Sequence, residues 1–294
     1  MTYLEAKRFP TDSEVGESIK HGMLEPLIIG HRGASAAAPE NTIVAFSRAM
    51  TDGADGFEFD VQLASDGVPV VIHDTTLKRT ALRSGLIADL SSIELEMVDV
   101  GSWFNFRYPR RAHQSFVKEG VPTLAGVLEY FRGSPAVLYI EMKCSTRNRR
   151  TLASEVVRLI HEKQLANRVV VESFALDSIR EIKSIDPGIR TAALFEPKLS
   201  RPVPSKRAMI ERALSSEADE IALHRTIANT RTIEEARRRG LHVVVWTVDH
   251  PSWIERAMKS GVHAIITNEP ARMCVARRDF TLARSHLSSN ARPS

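Results

Sequence analysis

From Leu27 onward the chain alternates short, β-branched apolar runs with longer amphipathic segments. This alternation is typical of βα units wound around a parallel sheet, and no linker divides it. The apolar runs predict strands at 27–30, 56–62, 68–72, 137–142, 168–172, 190–194, 219–223, 242–247 and 263–266. The amphipathic segments predict helices near 40–52, 123–132, 149–165, 176–185, 206–216, 231–239, 251–259 and 270–278.

Nine predicted strands are one more than an eight-stranded barrel needs. The second and third are separated by Ser65-Asp66-Gly67, a tight-turn pattern, so we expect these two to form a hairpin-like excursion. We therefore predict an α/β fold of the (β/α)8 TIM-barrel type with one irregular connection. A doubly wound open sheet is the alternative, because a strand count does not prove closure.

Residues 75–121 interrupt the alternation with polar and aromatic sequence that includes Trp103, Phe104, Phe106 and Tyr108. A structureless loop of this length is uncommon in a compact domain, so we predict a small insertion with structure of its own. It would lie beside the C-terminal end of an early strand, where barrel enzymes build their active face. We expect either a lid or substrate collar, or a cap that only fills a gap between helices.

The 294 residues carry a net charge of +4, which alone would suggest an acidic partner. Five arginines and one aspartate in residues 271–294 account for it, so the preceding 270 residues are neutral. We divide the chain into an N-terminal extension (1–26), a barrel with its insertion (27–278) and a basic, flexible tail (279–294). No nucleic-acid-binding module accompanies the remaining arginines, so we expect no nucleic-acid partner.

Cys144 and Cys274 are too far apart in sequence for a zinc site or a redox pair, so we expect free thiols. Nothing before Leu27 has the cationic start and apolar run of a secretory signal, and the apolar runs are strand-sized. We therefore expect a cytoplasmic protein without stable membrane insertion. The sequence leaves the oligomeric state open, homo-oligomers included.

Polar residues with catalytic potential stand at the ends of apolar strands. The first strand leads into His31 and Arg32, and the period of two in strand 56–62 puts Glu58 and Asp60 on one face. Two neighbouring carboxylates in an apolar strand repel each other and lose hydration, which is unfavourable unless a cation binds between them. We predict a hard divalent ion there; the alternative is an edge strand with both groups in solvent.

The same design recurs farther along the chain. His73 and an aspartate follow the third strand, while Glu141 and Lys143 share one face of the fourth. Glu141 is a candidate third oxygen ligand and Lys143 a partner for an anionic substrate, although the two would also form an ordinary ion pair. Trp246 ends a later strand, where it would wall the pocket or simply pack in the core.

These residues belong to a longer ordered pattern, which resembles the glycerophosphodiester phosphodiesterase family over about residues 27–270. The early part comprises His31-Arg32-Gly33, Pro39-Glu40-Asn41-Thr42, Glu58-x-Asp60-x-Gln62, Asp66-Gly67 and His73-Asp74. The later part comprises Val121-Pro122-Thr123-Leu124, Glu141-Met142-Lys143, Ser173-Phe174, Trp246-Thr247-Val248 and Ile265-Ile266-Thr267-Asn268-Glu269-Pro270.

The resemblance implies a TIM barrel that hydrolyses glycerophosphodiesters to an alcohol and glycerol 3-phosphate with one divalent cation, Mg²⁺ or Ca²⁺. It puts Glu58, Asp60 and Glu141 at the metal-ligand positions, and His31 and His73 at the positions of the acid and the base. Arg32 and Lys143 fall where the family holds the phosphate. Two departures are Glu172, where a neutral polar residue is common, and Asn268, which replaces a frequent Asp.

The leading function is thus a metal-dependent phosphodiesterase for small glycerophosphodiesters. One alternative is a lysophospholipase D-like or sphingomyelinase D-like enzyme acting on lipids, for which the aromatic residues at 103–108 would be the docking rim. Another is a catalytically silent barrel that only binds phosphate. The sequence does not decide the head group, the ion, which histidine is the acid, or whether water attacks directly or opens a cyclic phosphate.

Overall fold

The structure, a computed structural model, describes residues 25–197 and 204–290, with side chains as far as residue 285. Nine strands in this part of the chain form one sheet. They are β1 (Leu27–His31), β2 (Gly56–Leu63), β3 (Pro69–Val71), β4 (Val137–Met142), β5 (Val169–Ser173), β6 (Arg190–Phe195), β7 (Glu220–His224), β8 (His242–Trp246) and β9 (Ala264–Thr267).

The sheet closes on itself because β1 pairs in parallel with both β2 and β9. Eight parallel strands form the cylinder, and β3 alone runs antiparallel, paired with β2. The predicted TIM barrel with a hairpin excursion is therefore confirmed. The alternative of an open doubly wound sheet is wrong, since an open sheet would leave β1 or β9 unpaired on one side.

Helices cover the outside of the cylinder between successive strands. They are α1 (Ile43–Thr51), α2 (Ser92–Glu96), α3 (Ser102–Arg107), α4 (Leu124–Tyr130), α5 (Arg149–Glu162), α6 (Leu176–Ile185), α7 (Lys206–Ser215), α8 (Thr230–Arg238), α9 (Ser252–Ser260) and α10 (Pro270–Asn290). None of the helices in the described ranges is both long and apolar enough to cross a membrane.

The last helix is longer than its sequence pattern predicts. We expected it near 270–278, but α10 continues to Asn290, and Thr281 Oγ1 lies 2.6 Å from Glu25 Oε1. Phe280 also packs against the core formed by the later half of the barrel. The division into 1–26, 27–278 and 279–294 stays a prediction, and its last boundary falls inside this helix.

Strand β2 shows how the alternation of side chains builds the barrel. Phe57 and Phe59 point outward and pack against Phe46 of α1, with ring centroids 4.5 and 5.5 Å from that ring. Glu58 and Asp60 therefore point into the barrel, as the period of two predicts. The strand is buried on both faces, which rules out the solvent-facing edge strand.

The amino ends of the strands carry a separate buried cluster that closes the floor of the barrel. Glu220 at the start of β7 accepts hydrogen bonds from Tyr139 Oη at 3.0 Å and from Arg190 at 2.9 Å. His263 Nε2 lies 4.0 Å from the same carboxylate. Since these side chains fill the lower end, a ligand reaches the interior from the carboxyl end.

The segment 75–121 has structure of its own, as predicted. It contains α2, α3 and three short 3-10 turns, and it forms a small apolar core around Leu77, Ile87 and Leu95. Phe104 of α3 is buried against Ala38 and Ala45 of the first βα unit. The insertion is thereby fixed beside the loop that follows β1.

Gly56 at the start of β2 supplies a test of the barrel packing. A Cβ at this position would lie 1.9 Å from the carbonyl oxygen of Val137, a backbone atom of the neighbouring strand. We expect Gly56→Ala to lower the free energy of unfolding by about 1–3 kcal/mol or more, because the two paired strands must separate. Urea unfolding followed by circular dichroism measures the change.

Gly133→Ala is the matched control, because nothing lies within 4 Å of the added Cβ. We expect it to change the free energy of unfolding by less than about 0.5 kcal/mol. Equal unfolding midpoints for the two variants would show that close strand approach at Gly56 is not required.

Candidate active site

The carboxyl ends of four adjacent strands bring the predicted acidic residues together. In the strand register, His31 pairs with Glu58, Asp60 with Glu141, and Glu141 with Glu172. Because the strands are parallel, their inward-facing side chains form one continuous band across the inside of the barrel. The sequence-predicted ligands are thus neighbours although more than eighty residues separate Glu58 from Glu141.

Glu58, Asp60 and Glu141 form a buried triad with ligand oxygens within 4.8 Å of one another. Glu58 Oε1 and Asp60 Oδ1 are buried and accept no hydrogen bond of good geometry from the described residues. Burial raises the pKa of Glu58 well above its usual value, and Asp60 and Glu141 raise it further. Burial and Asp60 likewise raise the pKa of Glu141 to about 7.

Carboxylate oxygens that converge in a buried space are the donor set of a hard divalent cation. Such an ion would offset the mutual repulsion that raises these pKa values. The triad therefore fits the predicted divalent ion, although three carboxylates alone do not distinguish Mg²⁺ from Ca²⁺.

Arg32 and Lys143 are the cations next to the triad. Lys143 Nζ lies 2.6 Å from Glu141 Oε1 and 3.2 Å from Asp60 Oδ1. Arg32 Nε lies 3.1 Å from Asp60 Oδ2, and the Arg32 backbone N–H donates to Glu58 Oε2 at 3.0 Å. Burial would lower the pKa of both cations, but their carboxylate partners outweigh it and raise the pKa, so both stay charged.

The loop after β1 adopts a left-handed backbone conformation that turns Arg32 toward Asp60. Arg32 has φ of 53° and Gly33 has φ of 82°. A Cβ at Gly33 would lie 2.5 Å from the backbone carbon of Ala45 in α1. Glycine therefore lets the loop pass close to this helix while Arg32 turns toward Asp60.

The two histidines line one cavity of about 360 Å³ together with the triad residues Glu58 and Glu141. His31 Nδ1 donates to Asn268 Oδ1 at 2.7 Å, since the amide nitrogen of Asn268 is used on Asp249. Burial and the charge of Arg32 together lower the pKa of His31 to about 4.

His73 has a different partner, although it lines the same cavity. Its Nδ1 donates to Asp74 Oδ1 at 2.6 Å, and the other oxygen of Asp74 accepts from Arg79 at 2.6 Å. One histidine is therefore held by a neutral amide and the other by a carboxylate.

Three positioning residues were missed by reasoning from residue types. Gln62 donates to the carbonyl oxygens of Ile72 and Asp74, both at 2.9 Å, and so fixes the loop that carries His73. Asn41 donates to Asp60 Oδ2 at 2.8 Å, and Asn268 orients His31. The inward position of Gln62, two residues beyond Asp60, was the available signal; the other two contacts depend on the folding of distant loops.

The remaining wall of the cavity is apolar except for carboxyl groups. Trp246 lines it, and its ring packs against Phe174 at a centroid distance of 5.5 Å. Glu172 lines it too, is 1% exposed, and has a buried Oε2 without a hydrogen-bond partner in the described residues. Burial raises the Glu172 pKa well above its usual value, and the charges of Glu58 and Glu141 add to the effect.

All predicted site residues thus meet in one place at the carboxyl face, where TIM-barrel enzymes carry out their chemistry. The site combines cations suited to an anion, an acidic cluster suited to a hard divalent ion, and two histidines. This combination places the protein among barrel hydrolases that act on phosphate esters.

Comparison with known proteins narrows this class. The glycerophosphoryl diester phosphodiesterase family model matches residues 31–272. A glycerophosphodiester phosphodiesterase of Caldanaerobacter subterraneus subsp. tengcongensis is 34% identical over 249 residues, 84% of this chain and 96% of that protein. An Oleispira antarctica phosphodiesterase, solved in complex with the product sn-glycerol-3-phosphate, has a TM-score of 0.75 at 25% identity, covering 86% of this chain and 96% of the other. The chain belongs to the glycerophosphoryl diester phosphodiesterase family.

The triad predicts saturable binding of one divalent ion. We expect calorimetric titration of chelator-treated protein with Mg²⁺ or Ca²⁺ to show one site, and the ion to raise the Tm because it binds the folded state. Glu58→Gln and Glu141→Gln should lose this binding without unfolding, since each removes a ligand and also relieves repulsion in the metal-free protein.

Glu172→Gln is the control, because Glu172 lies in the same cavity but outside the triad. It should retain the ion site. Wild-type protein that takes up neither ion, or Gln variants of the triad that bind as the wild type does, would contradict the assignment of ligands.

Proposed function

We propose that the protein hydrolyses glycerophosphodiesters to an alcohol and sn-glycerol 3-phosphate with the help of one divalent ion. The observation that carries the proposal is the shared cavity, in which two differently held histidines stand beside a buried acidic triad. The product bound to the Oleispira antarctica relative supports the choice of substrate class.

The hydrogen-bond partners of the histidines support different roles. Because Nδ1 of His31 donates to an amide oxygen, Nε2 is the unprotonated nitrogen and can accept a proton from the attacking hydroxyl. Asp74 holds Nδ1 of His73 through a hydrogen bond, which leaves the other ring nitrogen available to donate a proton to the departing alkoxide. We therefore assign His31 as the general base and His73 as the general acid.

The charged residues bind the phosphate between these histidines. Arg32 can present its planar guanidinium to two phosphate oxygens, whereas Lys143 acts as a point charge. A divalent ion held by Glu58, Asp60 and Glu141 would polarise a phosphoryl oxygen and stabilise the charge that develops on it. The apolar wall formed by Phe174 and Trp246 excludes water from the glycerol side and strengthens these interactions.

The insertion bears on the two alternative functions. Phe104 is buried against Ala38 and Ala45 of the first βα unit, and the aromatic residues of α3 do not line the catalytic cavity. The apolar docking rim that a lipid-specific enzyme would need does not surround that cavity itself in the described residues, because the exposed aromatic residues of α3 line a separate groove beside it. A silent phosphate-binding barrel would not require two histidines with separate partners in one cavity.

The first functional prediction concerns the histidines. We expect His31→Ala and His73→Ala each to lower kcat by about two to four orders of magnitude, the usual contribution of a positioned acid or base. With the 4-nitrophenyl ester of glycerol 3-phosphate, whose leaving group needs no proton, the defect of His73→Ala should shrink. The defect of His31→Ala should persist, because the nucleophile must still lose its proton.

His161→Ala is the matched control for these rates. His161 also bonds an aspartate, Asp186, at 2.8 Å, but it lies on the surface away from the cavity. Its variant should keep wild-type turnover. Near wild-type kcat in either active-site variant would remove that histidine from the mechanism. If the 4-nitrophenyl ester reduced the defect of His31→Ala instead of that of His73→Ala, the two roles would be reversed.

The second functional prediction concerns Glu172, whose unpaired Oε2 lies in the cavity wall. We propose that it bonds a hydroxyl of the glycerol moiety. Glu172→Leu should raise KM about tenfold, because the buried hydroxyl would lose its partner, with a much smaller effect on kcat. Glu172→Gln keeps a hydrogen-bonding side chain and should retain most of the affinity. A Leu variant with unchanged KM would refute this contact.

A further inference from the structure

A second, larger cavity of about 760 Å³ lies between the insertion and the barrel loops that follow β1 and β9. We call it the insertion groove. The insertion contributes Leu82, Trp103, Phe106 and Tyr108 to its lining, and the barrel loops contribute Glu40 and Asn268. A volume of this size is typical of sites for small organic ligands, of about 300–1,000 Å³.

The insertion groove adjoins the catalytic cavity through shared contacts. Asn268 in its wall accepts the hydrogen bond of His31 at 2.7 Å, and Glu40 in its wall lies 2.7 Å from Arg32. Arg79, which also lines the groove, bonds Asp74, the partner of His73. The groove therefore lies against the outer side of the residues that orient both histidines.

The rim of the insertion groove is apolar and open to solvent. Phe106 is 74% exposed and Leu82 is 62% exposed, and the ring of Tyr108 is also accessible. Trp103 stands behind them, with its ring 6.5 Å from that of Tyr108 in an edge-on arrangement. Exposed aromatic surface gathered at a cavity is suited to contact with an apolar ligand group.

Two arginines on the insertion side of the groove face Asp249 and Glu269 on its barrel side without forming ion pairs with them. Arg107 and Arg111 line it and have no carboxylate within ion-pair distance among the residues that the structure describes. Arg107 lies 6.0 Å from the centre of the Tyr108 ring, and Arg111 donates to the carbonyl oxygen of Ala36. Arg79, in contrast, is paired with Glu40 and Asp74.

We propose that the insertion groove binds the alcohol moiety of the substrate and favours an alcohol with a ring-sized apolar body and an outer anionic group. The apolar body contacts Phe106 and Leu82, and the anionic group pairs with Arg107. This inference rests on the proposed phosphodiesterase activity and adds a specificity determinant to it. It also assigns the insertion a role as a substrate collar.

The test compares three synthetic substrates: the ethyl, benzyl and 4-carboxybenzyl esters of sn-glycerol 3-phosphate. Wild-type kcat/KM should rise from the ethyl to the benzyl to the carboxybenzyl ester. Phe106→Ala should lower the benzyl-to-ethyl ratio of kcat/KM about tenfold, the scale of a lost apolar contact. Arg107→Ala should lower the carboxybenzyl-to-benzyl ratio up to about fivefold, as for a partly exposed ion pair.

Two control variants lie in the same insertion but outside the groove. Ile93 is as exposed as Phe106, at 74%, and Arg110 lines a different surface pocket. Ile93→Ala and Arg110→Ala should leave both ratios at their wild-type values. Unchanged ratios in Phe106→Ala and Arg107→Ala, or equal changes in the controls, would overturn the assignment of the groove. Failure of the wild type to hydrolyse any of the three esters would instead reject the proposed function.

Discussion

The burial of Asp60 is the constraint on which the rest of the site depends. This carboxylate is 0% exposed, and a buried charge is tolerated only when partners compensate for its lost hydration. Arg32, Lys143 and Asn41 provide that compensation and hold the Asp60 pKa below its usual value despite burial. The same contacts fix the loop after β1 and the end of β4. The Asp60 carboxylate, which a metal site needs as a ligand, therefore also fixes the positions of the groups around it.

A chain of ion pairs extends from Asp60 inside the barrel to the insertion. Arg32 links Asp60 to Glu40, and Arg79 links Glu40 to Asp74 beside His73. Arg79 of the insertion thereby joins the loops that carry the two histidines. A substituent bound in the insertion groove would contact the same network from its outer side, next to the residues that hold His73.

The sequence predicted the parts of this site that depend on local periodicity. The alternation in β2 placed Glu58 and Asp60 on one inward face, and the Asp66-Gly67 turn predicted the antiparallel excursion to β3. The family resemblance supplied the roles of the histidines. Contacts between distant segments were beyond this reasoning: Asn268 lies 237 residues from His31, and no spacing rule connects them. The end of α10 was also missed, since polar residues after 278 suggested fraying.

The charges around the triad determine how well the site matches the charge of a phosphodiester. Three carboxylates, Arg32, Lys143 and a divalent ion leave one net positive charge, which matches the single negative charge of a phosphodiester. An ionised Glu172 would cancel that positive charge before the substrate arrived. Burial raises the Glu172 pKa, which favours the uncharged carboxyl and so preserves the positive charge that attracts the diester.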